Sequence, residues 1–190
     1  MRRADRAIRS SICLDFQPLK LRIVRQASRV SVRIGNAGAK GKGLFAKSRI
    51  PPGAKVATFL GSPRWIWDIP ERYWPHTFQV DYDRYVLPRK NSSAWYINHS
   101  CEPNCVVSGR SIVTRGSVRA GEELTFDYST DIDWPGFEMA CRCGGSRCRK
   151  VIRAYRFLPK ALKLKYGRNV AEFILREYAL PLSARRVRRK

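Results

Sequence analysis

The sequence has few cysteines for its length and lacks a long apolar run. Six cysteines in 190 residues fall far below the density of small disulfide-stapled secreted domains, so a disulfide framework is excluded. The clearly apolar stretches are as short as residues 56–60, whereas a membrane span needs about 20 apolar residues. The basic residues at the start are not followed by the apolar segment of a signal peptide. We therefore expect a protein that is neither secreted nor inserted in a membrane.

Acidic residues are also scarce. The chain has 15 Asp plus Glu against 38 Lys plus Arg, which gives a net charge of +23. Residues 30–67 contain no acidic residue, residues 68–138 carry a net charge of −4, and residues 142–190 carry +14. An acidic middle in a basic chain favours a groove for a basic ligand, with basic ends that bind nucleic acid non-specifically. Charged faces that are merely solvated are an equally simple interpretation.

The middle of the chain shows the pattern of a mainly β domain. Apolar residues make up 44% and aromatics 11%, which excludes wholesale disorder. Apolar and polar residues alternate in short segments, as half-buried strands do: residues 30–34, 55–60, 78–87 and 105–114. Residues 169–179 place apolar side chains on one helical face, with Asn169 as the N-cap, and predict an amphipathic helix.

The strongest local signal is Cys141-x-Cys143-x4-Cys148, with two glycines inside the loop. Thiolates at this spacing can surround a tetrahedral zinc ion, because glycine lets the backbone turn sharply between them. A closed structural site needs a fourth ligand. The residues alone leave five candidates: Cys13, Cys101, Cys105, His76 and His99. Three unliganded thiols are the alternative interpretation.

Two further motifs occur before the cysteines. Residues 96–104 read Tyr-Ile-Asn-His-Ser-Cys-Glu-Pro-Asn, and residues 123–128 read Glu-Leu-Thr-Phe-Asp-Tyr. Together with Gly-Lys-Gly-Leu-Phe-Ala at residues 41–46 and the cysteine motif, they resemble the SET-domain protein-lysine methyltransferases with a post-SET zinc segment. The match extends over residues 30–150. The layout after the last cysteine is similar to that of short stand-alone bacterial SET proteins.

This resemblance implies a fold and a set of boundaries. We expect several small sheets, a zinc-bound post-SET segment and a helical C-terminal appendage. The expected division is a basic arm at residues 1–29, a SET domain at 30–129, the zinc segment at 130–150 and a basic helical extension at 151–190. The family also suggests Cys101 as the fourth zinc ligand beside Cys141, Cys143 and Cys148.

The resemblance further implies S-adenosylmethionine as the cofactor. Its expected contacts are the backbone around Lys42, Gly43 and Leu44, hydrogen bonds from Asn98 and His99, and the ring of Phe78. Phe78 is equally well explained as a core strand residue. Tyr128 is expected between cofactor and substrate, with its hydroxyl near the transferring methyl group.

The reaction requires a neutral amine, because only that form has a lone pair to attack a methyl carbon. A lysine has an ordinary pKa near 10.4, and a narrow aromatic channel disfavours its ammonium form by desolvation. Phe126 resembles the family's Phe/Tyr switch position, where Phe leaves room for repeated methylation. We therefore expect di- or trimethylation of a lysine in a basic, histone-like protein.

Two residues depart from the family pattern. Phe59 stands where many relatives have a tyrosine, and Trp95 replaces an arginine before the Asn-His pair. The competing hypothesis is therefore a catalytically inactive, zinc-containing module that binds nucleic acid. For an active enzyme we expect a nuclear protein in a eukaryote and a cytoplasmic one in a bacterium.

Overall fold

Short strands dominate the computed structural model, which describes residues 30–178. The strands are β1 (Val32–Asn36), β2 (Lys42–Ala46), β3 (Lys55–Thr58), β4 (Arg64–Trp65), β5 (Phe78–Asp81), β6 (Arg84–Val86), β7 (Asn98–His99), β8 (Cys105–Ser108), β9 (Ser111–Thr114), β10 (Glu123–Phe126), β11 (Glu138–Ala140) and β12 (Val151–Arg153). The α-helices are α1 (Ser93–Tyr96), α2 (Lys160–Tyr166) and α3 (Glu172–Glu177). The predicted basic arm at residues 1–29 lies outside the described residues, as do residues 179–190.

The strands form four small sheets, as expected for the fold class. Their orders are β1-β2-β10-β7, β3-β9-β8, β4-β6-β5 and the pair β11-β12. Strands β8 and β9 form an antiparallel hairpin, and Gly109 supplies a φ of +60° in its turn, a value that glycine adopts at little cost. Among residues 30–178, no helix has both the length and the apolar character needed to cross a bilayer.

The C-terminal region packs into the same core as the sheets. Tyr166, Phe173 and Ile174 belong to one buried cluster with Leu44 and Leu124. The predicted helix at 169–179 is corrected at its start, since α3 begins at Glu172 and Ala171 occupies the N-cap position. The Asn169 backbone N–H instead donates to the Tyr166 carbonyl and closes the end of α2. Helix α2 lies within the extension at residues 151–190 that was expected to be helical, but its position there was not predicted.

Candidate functional site

Strands β7 and β10 bring the two central motifs side by side. They run parallel, with Asn98 opposite Thr125 and His99 opposite Phe126. Just beyond this pair, the Ser100 backbone N–H donates to the Phe126 carbonyl at 3.0 Å. The Asn-His and Phe-Asp-Tyr residues therefore lie together although 25 or more positions separate them in the sequence.

One cavity, of about 460 Å³, lies beside the Asn-His pair. Three basic side chains line it, those of Lys40, Lys42 and Arg142, together with Asn98 and His99. Its size is within the range of small-molecule sites. The positive lining suits a ligand with a carboxylate, such as the methionine end of S-adenosylmethionine. The residues present thus fit such a cofactor.

A second cavity, of about 440 Å³, is lined mainly by aromatic rings. They belong to Phe59, Trp74, Tyr85, Trp95, Phe126, Tyr128, Trp134 and Phe137. Three carboxylates also line it: Glu71, Asp131 and Glu138. An aromatic lining with negative charges suits an alkyl chain that ends in a cation, because the stem contacts apolar rings while the head is attracted to both carboxylates and ring faces.

Tyr128 belongs to the wall of both cavities. Its hydroxyl donates to the Ile97 carbonyl at 2.9 Å, and its backbone N–H donates to His99 Nδ1 at 3.2 Å. Burial raises the pKa of Tyr128, and the charges of Asp131 and Glu123 add to this effect. The phenol therefore stays protonated at neutral pH. Sequence reasoning expected Tyr128 between two ligands; the residue lines both cavities, and its contacts with ligands stay a prediction.

Burial lowers the pKa of His99 to about 4, so its ring is neutral near pH 7. Nδ1 accepts the hydrogen bond from Tyr128, which places the ring proton on Nε2. Nε2 lies 3.3 Å from the Cys101 sulfur. His99 thus connects the cavity wall to a cysteine, and its role in the fold is at least partly to hold the Tyr128 backbone.

Gly43 lies under a small polar network rather than in the cavity wall. A Cβ at this position would come within 2.6 Å of Glu123 Oε1 and 2.9 Å of Asn98 Nδ2. Asn98 Nδ2 donates to Glu123 at 2.9 Å and to the Lys42 carbonyl at 3.0 Å, and Lys40 pairs with Glu123. The glycine is therefore required by close packing of the protein itself.

Two other expected cofactor contacts, Leu44 and Phe78, have side chains buried in the core, and the expected backbone contact at residues 42–44 stays a prediction. The Leu44 side chain is in the core, and neither Leu44 nor Gly43 is part of the cavity lining, so at residues 42–44 it is Lys42 that reaches the cavity. Phe78 is 1% exposed and packs on Phe59 with ring centroids 4.6 Å apart. The core role considered for Phe78 is the one that this packing supports.

Four cysteine sulfurs form a compact cluster beside the basic cavity. The sulfurs of Cys101, Cys141, Cys143 and Cys148 all lie within 4.8 Å of one another, and Cys143 also lines that cavity. Tetrahedral zinc with bonds of about 2.3 Å requires sulfurs roughly 3.8 Å apart, and Cys101 and Cys141 are 3.7 Å apart. This donor set fits a closed structural zinc site.

Among the other ligand candidates that the structure describes, His99 contacts only the Cys101 sulfur of the cluster, and Cys105 and His76 lie elsewhere. Cys105 is fully buried in β8, and His76 hydrogen-bonds through Nδ1 to the Trp95 carbonyl at 3.0 Å. Within the cysteine loop, the Arg147 backbone and side chain both donate to Glu102. Glu102 thereby ties the loop to the segment that supplies Cys101. Cys13 lies outside the described residues.

Sequence reasoning missed the central role of Asp127. This carboxylate is 1% exposed and accepts two hydrogen bonds from Arg149, at 2.6 and 2.8 Å, and one from the Tyr166 hydroxyl at 2.8 Å. Its side chain also accepts from the Ser129 backbone N–H and caps the 3₁₀ turn Tyr128–Thr130. No spacing in the sequence links these partners, but an acidic residue between two aromatics, directly after β10, was an available signal.

Comparison with known proteins agrees with this geometry. The family model described as "SET domain" matches residues 41–129. The chain contains a SET domain. The matched segment runs from the loop before β2 to the 3₁₀ turn that begins at Tyr128, and it includes both central motifs. It ends before the last three cysteines of the cluster.

Relatives of this SET domain include large histone-lysine methyltransferases. Histone-lysine N-methyltransferase 2B from Homo sapiens is 28% identical over 165 residues, which cover 77% of this chain and 6% of that protein. Histone-lysine N-methyltransferase ATX2 from Arabidopsis thaliana is 31% identical over 153 residues, which cover 70% of this chain and 14% of that protein. The chain thus spans a small fraction of these relatives.

Two solved structures show a similar fold. KRYPTONITE in complex with mCHG DNA and SAH has a TM-score of 0.51 and 26% identity, covering 65% of this chain and 29% of that one. KRYPTONITE in complex with mCHH DNA, an H3(1–15) peptide and SAH has a TM-score of 0.50 and 27% identity, covering 65% and 30%. The SET domain assignment therefore rests on fold as well as sequence.

Proposed function

We propose that the protein transfers methyl groups from S-adenosylmethionine to the side-chain amine of a lysine in a basic, histone-like protein. The observation that carries the proposal is the position of Tyr128, in the wall common to a basic cavity and an aromatic, acidic one. The relatives that are histone-lysine methyltransferases and the neighbours bound to SAH support it. The finer residue roles below belong to the same proposal.

In this proposal the basic cavity holds the cofactor. Lys42 and Arg142 face its carboxylate, and Asn98 and His99 hold its polar ends, while S-adenosylmethionine supplies a methyl group on a positively charged sulfur. The aromatic cavity receives the lysine side chain and excludes water around its amine. Orientation of this kind can lower a barrier by about 7–11 kcal/mol.

Tyr128 and Phe126 then define the place where the two ligands meet. The Tyr128 hydroxyl is anchored on the Ile97 carbonyl, so its oxygen is held at the junction with a lone pair free. The Phe126 ring centroid is 5.0 Å from that of Tyr128 and presents no polar group. An amine that already carries a methyl group can therefore turn beside Phe126 without losing a hydrogen bond.

The four-cysteine cluster is proposed to bind one structural zinc ion. Because Cys143 and Arg142 line the basic cavity, a metal there would order one wall of the cofactor site. The basic ends of the chain are proposed to increase its concentration on nucleic acid through phosphate contacts. We place the active enzyme where such substrates occur, in the nucleus of a eukaryote or the cytoplasm of a bacterium.

The decisive experiment is methyl transfer from labelled S-adenosylmethionine to core histones and ribosomal proteins, followed by mass spectrometry of the products. We expect methylated lysines with the wild type, and a rate about 100-fold lower with Tyr128→Phe, which still binds S-adenosylhomocysteine. Cofactor binding without transfer to any basic protein would reject the proposal. Nucleic-acid binding without cofactor binding would favour the inactive zinc-containing module instead.

A further inference from the structure

The aromatic cavity contains one carboxyl group that nothing above assigns. Asp131 is 1% exposed and lines this cavity. Its Oδ1 atom has no hydrogen-bond partner within residues 30–178. The other two carboxylates in the lining, Glu71 and Glu138, are exposed. A buried polar atom without a hydrogen bond lowers stability by about 1–3 kcal/mol, and by more when it is charged. A bound ligand that donates a hydrogen bond to this atom would remove that cost.

The backbone places Asp131 beside Tyr128. Residues Tyr128–Thr130 form a 3₁₀ turn, and the Asp131 backbone N–H donates to the Tyr128 carbonyl at 3.1 Å. In a 3₁₀ turn the side chains at positions i and i+3 project on the same side. Asp131 therefore lines the same cavity as Tyr128, which also lines the basic one.

The surroundings of Asp131 disfavour its charge when the cavity is empty. Burial and the negative charge of Asp127 raise the pKa of Asp131 well above its usual range. The other titratable groups that face it are Tyr128 on its own segment, Tyr85 on β6 and, across the cavity, Glu71, His76 and Glu138. Among these His76 is the cationic candidate, and burial lowers its pKa. A cation that enters the cavity would therefore stabilise the ionised form of Asp131.

We propose that Asp131 is a catalytic residue that binds the ammonium group of the incoming lysine and accepts its proton. The inference rests on the proposed function and adds to it the group that binds and deprotonates the amine. It also accounts for the unsatisfied Oδ1 atom, which would accept the hydrogen bond from the ammonium group.

The proton step balances without any further reactant. The lysine enters as an ammonium ion, and Asp131, a neutral acid in the empty cavity, releases its proton to water and pairs with the ammonium as a carboxylate. One N–H bond then breaks as an O–H bond forms on Asp131, which leaves a neutral amine with its lone pair and a neutral carboxylic acid. Burial favours this neutral pair over the ion pair, because desolvation penalises both charges. Asp131 keeps this proton when the methylated product leaves, so each turnover releases one proton to water, at the step in which the ammonium enters.

The first test measures cation binding without methyl transfer. Ligand-observed NMR would follow n-butylammonium, with n-butanol as the uncharged comparison, on the full chain with and without S-adenosylhomocysteine. We expect n-butylammonium to bind the wild type, and to bind Asp131→Asn roughly tenfold more weakly. Asp68→Asn, which removes an exposed acidic residue, should bind like the wild type. A wild type that does not prefer the ammonium probe would overturn the proposal.

The second test separates a proton acceptor from a merely structural residue. Asp131→Asn can use only amine that has lost its proton to water, a fraction that rises about tenfold per pH unit below the lysine pKa. We therefore expect a loss in kcat of about 100-fold at pH 7.5 that shrinks by about tenfold per pH unit towards pH 9.5. If the loss in kcat of Asp131→Asn stayed constant across this pH range, the effect would be structural, and the role of Asp131 as proton acceptor would be overturned.

His76→Gln identifies the acceptor, since His76 also lines the cavity. Recovery at high pH in His76→Gln and not in Asp131→Asn would transfer the role to His76.

If the wild type methylates basic proteins but neither test responds to Asp131→Asn, this inference fails and the proposed function stands. If n-butylammonium binds through Asp131 but no basic protein is methylated, the proposed function fails and the cation site stands.

Discussion

The guanidinium of Arg149 meets the carboxylate of Asp127 through two hydrogen bonds, of 2.6 and 2.8 Å. Arg149 directly follows Cys148, and its backbone N–H lies 3.3 Å from the Cys101 sulfur. Asp127 directly precedes Tyr128. This ion pair therefore connects the cysteine cluster to the strand end that carries the tyrosine between the two cavities.

The first prediction concerns the loss of this ion pair. Arg149→Ala leaves the buried Asp127 carboxylate without its charged partner, and we expect the free energy of unfolding to fall by about 3 kcal/mol. Arg149→Lys keeps the charge but loses one of the two hydrogen bonds to the carboxylate. We therefore expect its free energy of unfolding to lie between those of the wild type and Arg149→Ala. Urea denaturation followed by tryptophan fluorescence would measure both.

Arg147→Ala is the matched control, because Arg147 pairs with Glu102 at the surface and its side chain is 79% exposed. A surface pair of this kind contributes about 1 kcal/mol or less. If Arg149→Ala and Arg147→Ala lowered the stability equally, the connecting role of the Asp127 pair would be contradicted.

The candidate site shows which features a sequence can predict. The strands of the middle region followed from local alternation, and the resemblance to SET proteins named all four clustered cysteines, including Cys101. Asp127 was missed because its partners, Arg149 and Tyr166, follow it by 22 and 39 positions. These two residues contact Asp127 only because the C-terminal region packs onto the sheets. A short motif in the sequence does not show this packing.

The helical region illustrates a signal that was present and not used. Pro159 precedes α2 and Gly167 follows it with a φ of +52°, and both are boundary signals for a helix. Three lysines within α2 interrupt the short apolar pattern by which the helix could be recognised in the sequence. The close packing around Gly43, by contrast, could not be predicted. The atoms that leave no room for a Cβ belong to Glu123 and Asn98, which are distant in the sequence.

The second prediction is the metal content. We expect one zinc ion per chain by elemental analysis, and loss of that zinc in Cys148→Ser, because three thiolates leave the tetrahedral site open. Cys105→Ser should retain the zinc, since Cys105 is not part of the cluster. Chelation should also weaken S-adenosylhomocysteine binding, because Cys143 lines the basic cavity. Full cofactor affinity and turnover in the metal-free protein would contradict the coupling.

The third prediction concerns thiol reactivity. Burial raises the pKa of Cys105 to about 12, so at pH 8 this thiol is un-ionised and shielded. Only the thiolate reacts readily with iodoacetamide. In metal-free but folded protein we expect labelling to begin at Cys143, because hydrogen bonds outweigh its burial and lower its pKa to about 6, while Cys105 stays unmodified. Peptide mass spectrometry would locate the labels, and early labelling of Cys105 would contradict its burial.

The raised pKa of Cys105 also predicts that the stability of the fold depends on pH. The folded pKa of Cys105 lies above the ordinary value of 9.0, so above pH 9 the unfolded chain releases a proton that the folded chain retains. Stability should therefore fall as the pH rises above 9. In Cys105→Ser this contribution is absent, and urea midpoints at pH 8 and pH 10 would compare the two proteins.

The last prediction concerns the number of methyl groups added. Phe126 is 2% exposed, lines the aromatic cavity and lies 6.4 Å from the Phe59 ring, so neither ring offers a hydrogen bond to the amine. We expect di- or trimethyl-lysine from the wild type, because a methylated amine can turn there freely. Phe126→Tyr adds a hydroxyl that holds the amine and occupies space, so it should yield mainly monomethyl-lysine.

Mass spectrometry of a time course would distinguish this change from a slower overall reaction. A mere loss of rate delays all products, whereas the predicted effect removes the di- and trimethyl forms even after the monomethyl form has accumulated. Phe157→Tyr, at a ring that is 54% exposed and outside the cavity, should leave the product ratio unchanged. Wild-type product that stops at monomethyl-lysine, with no change in Phe126→Tyr, would show that the space beside Phe126 does not set the methylation state.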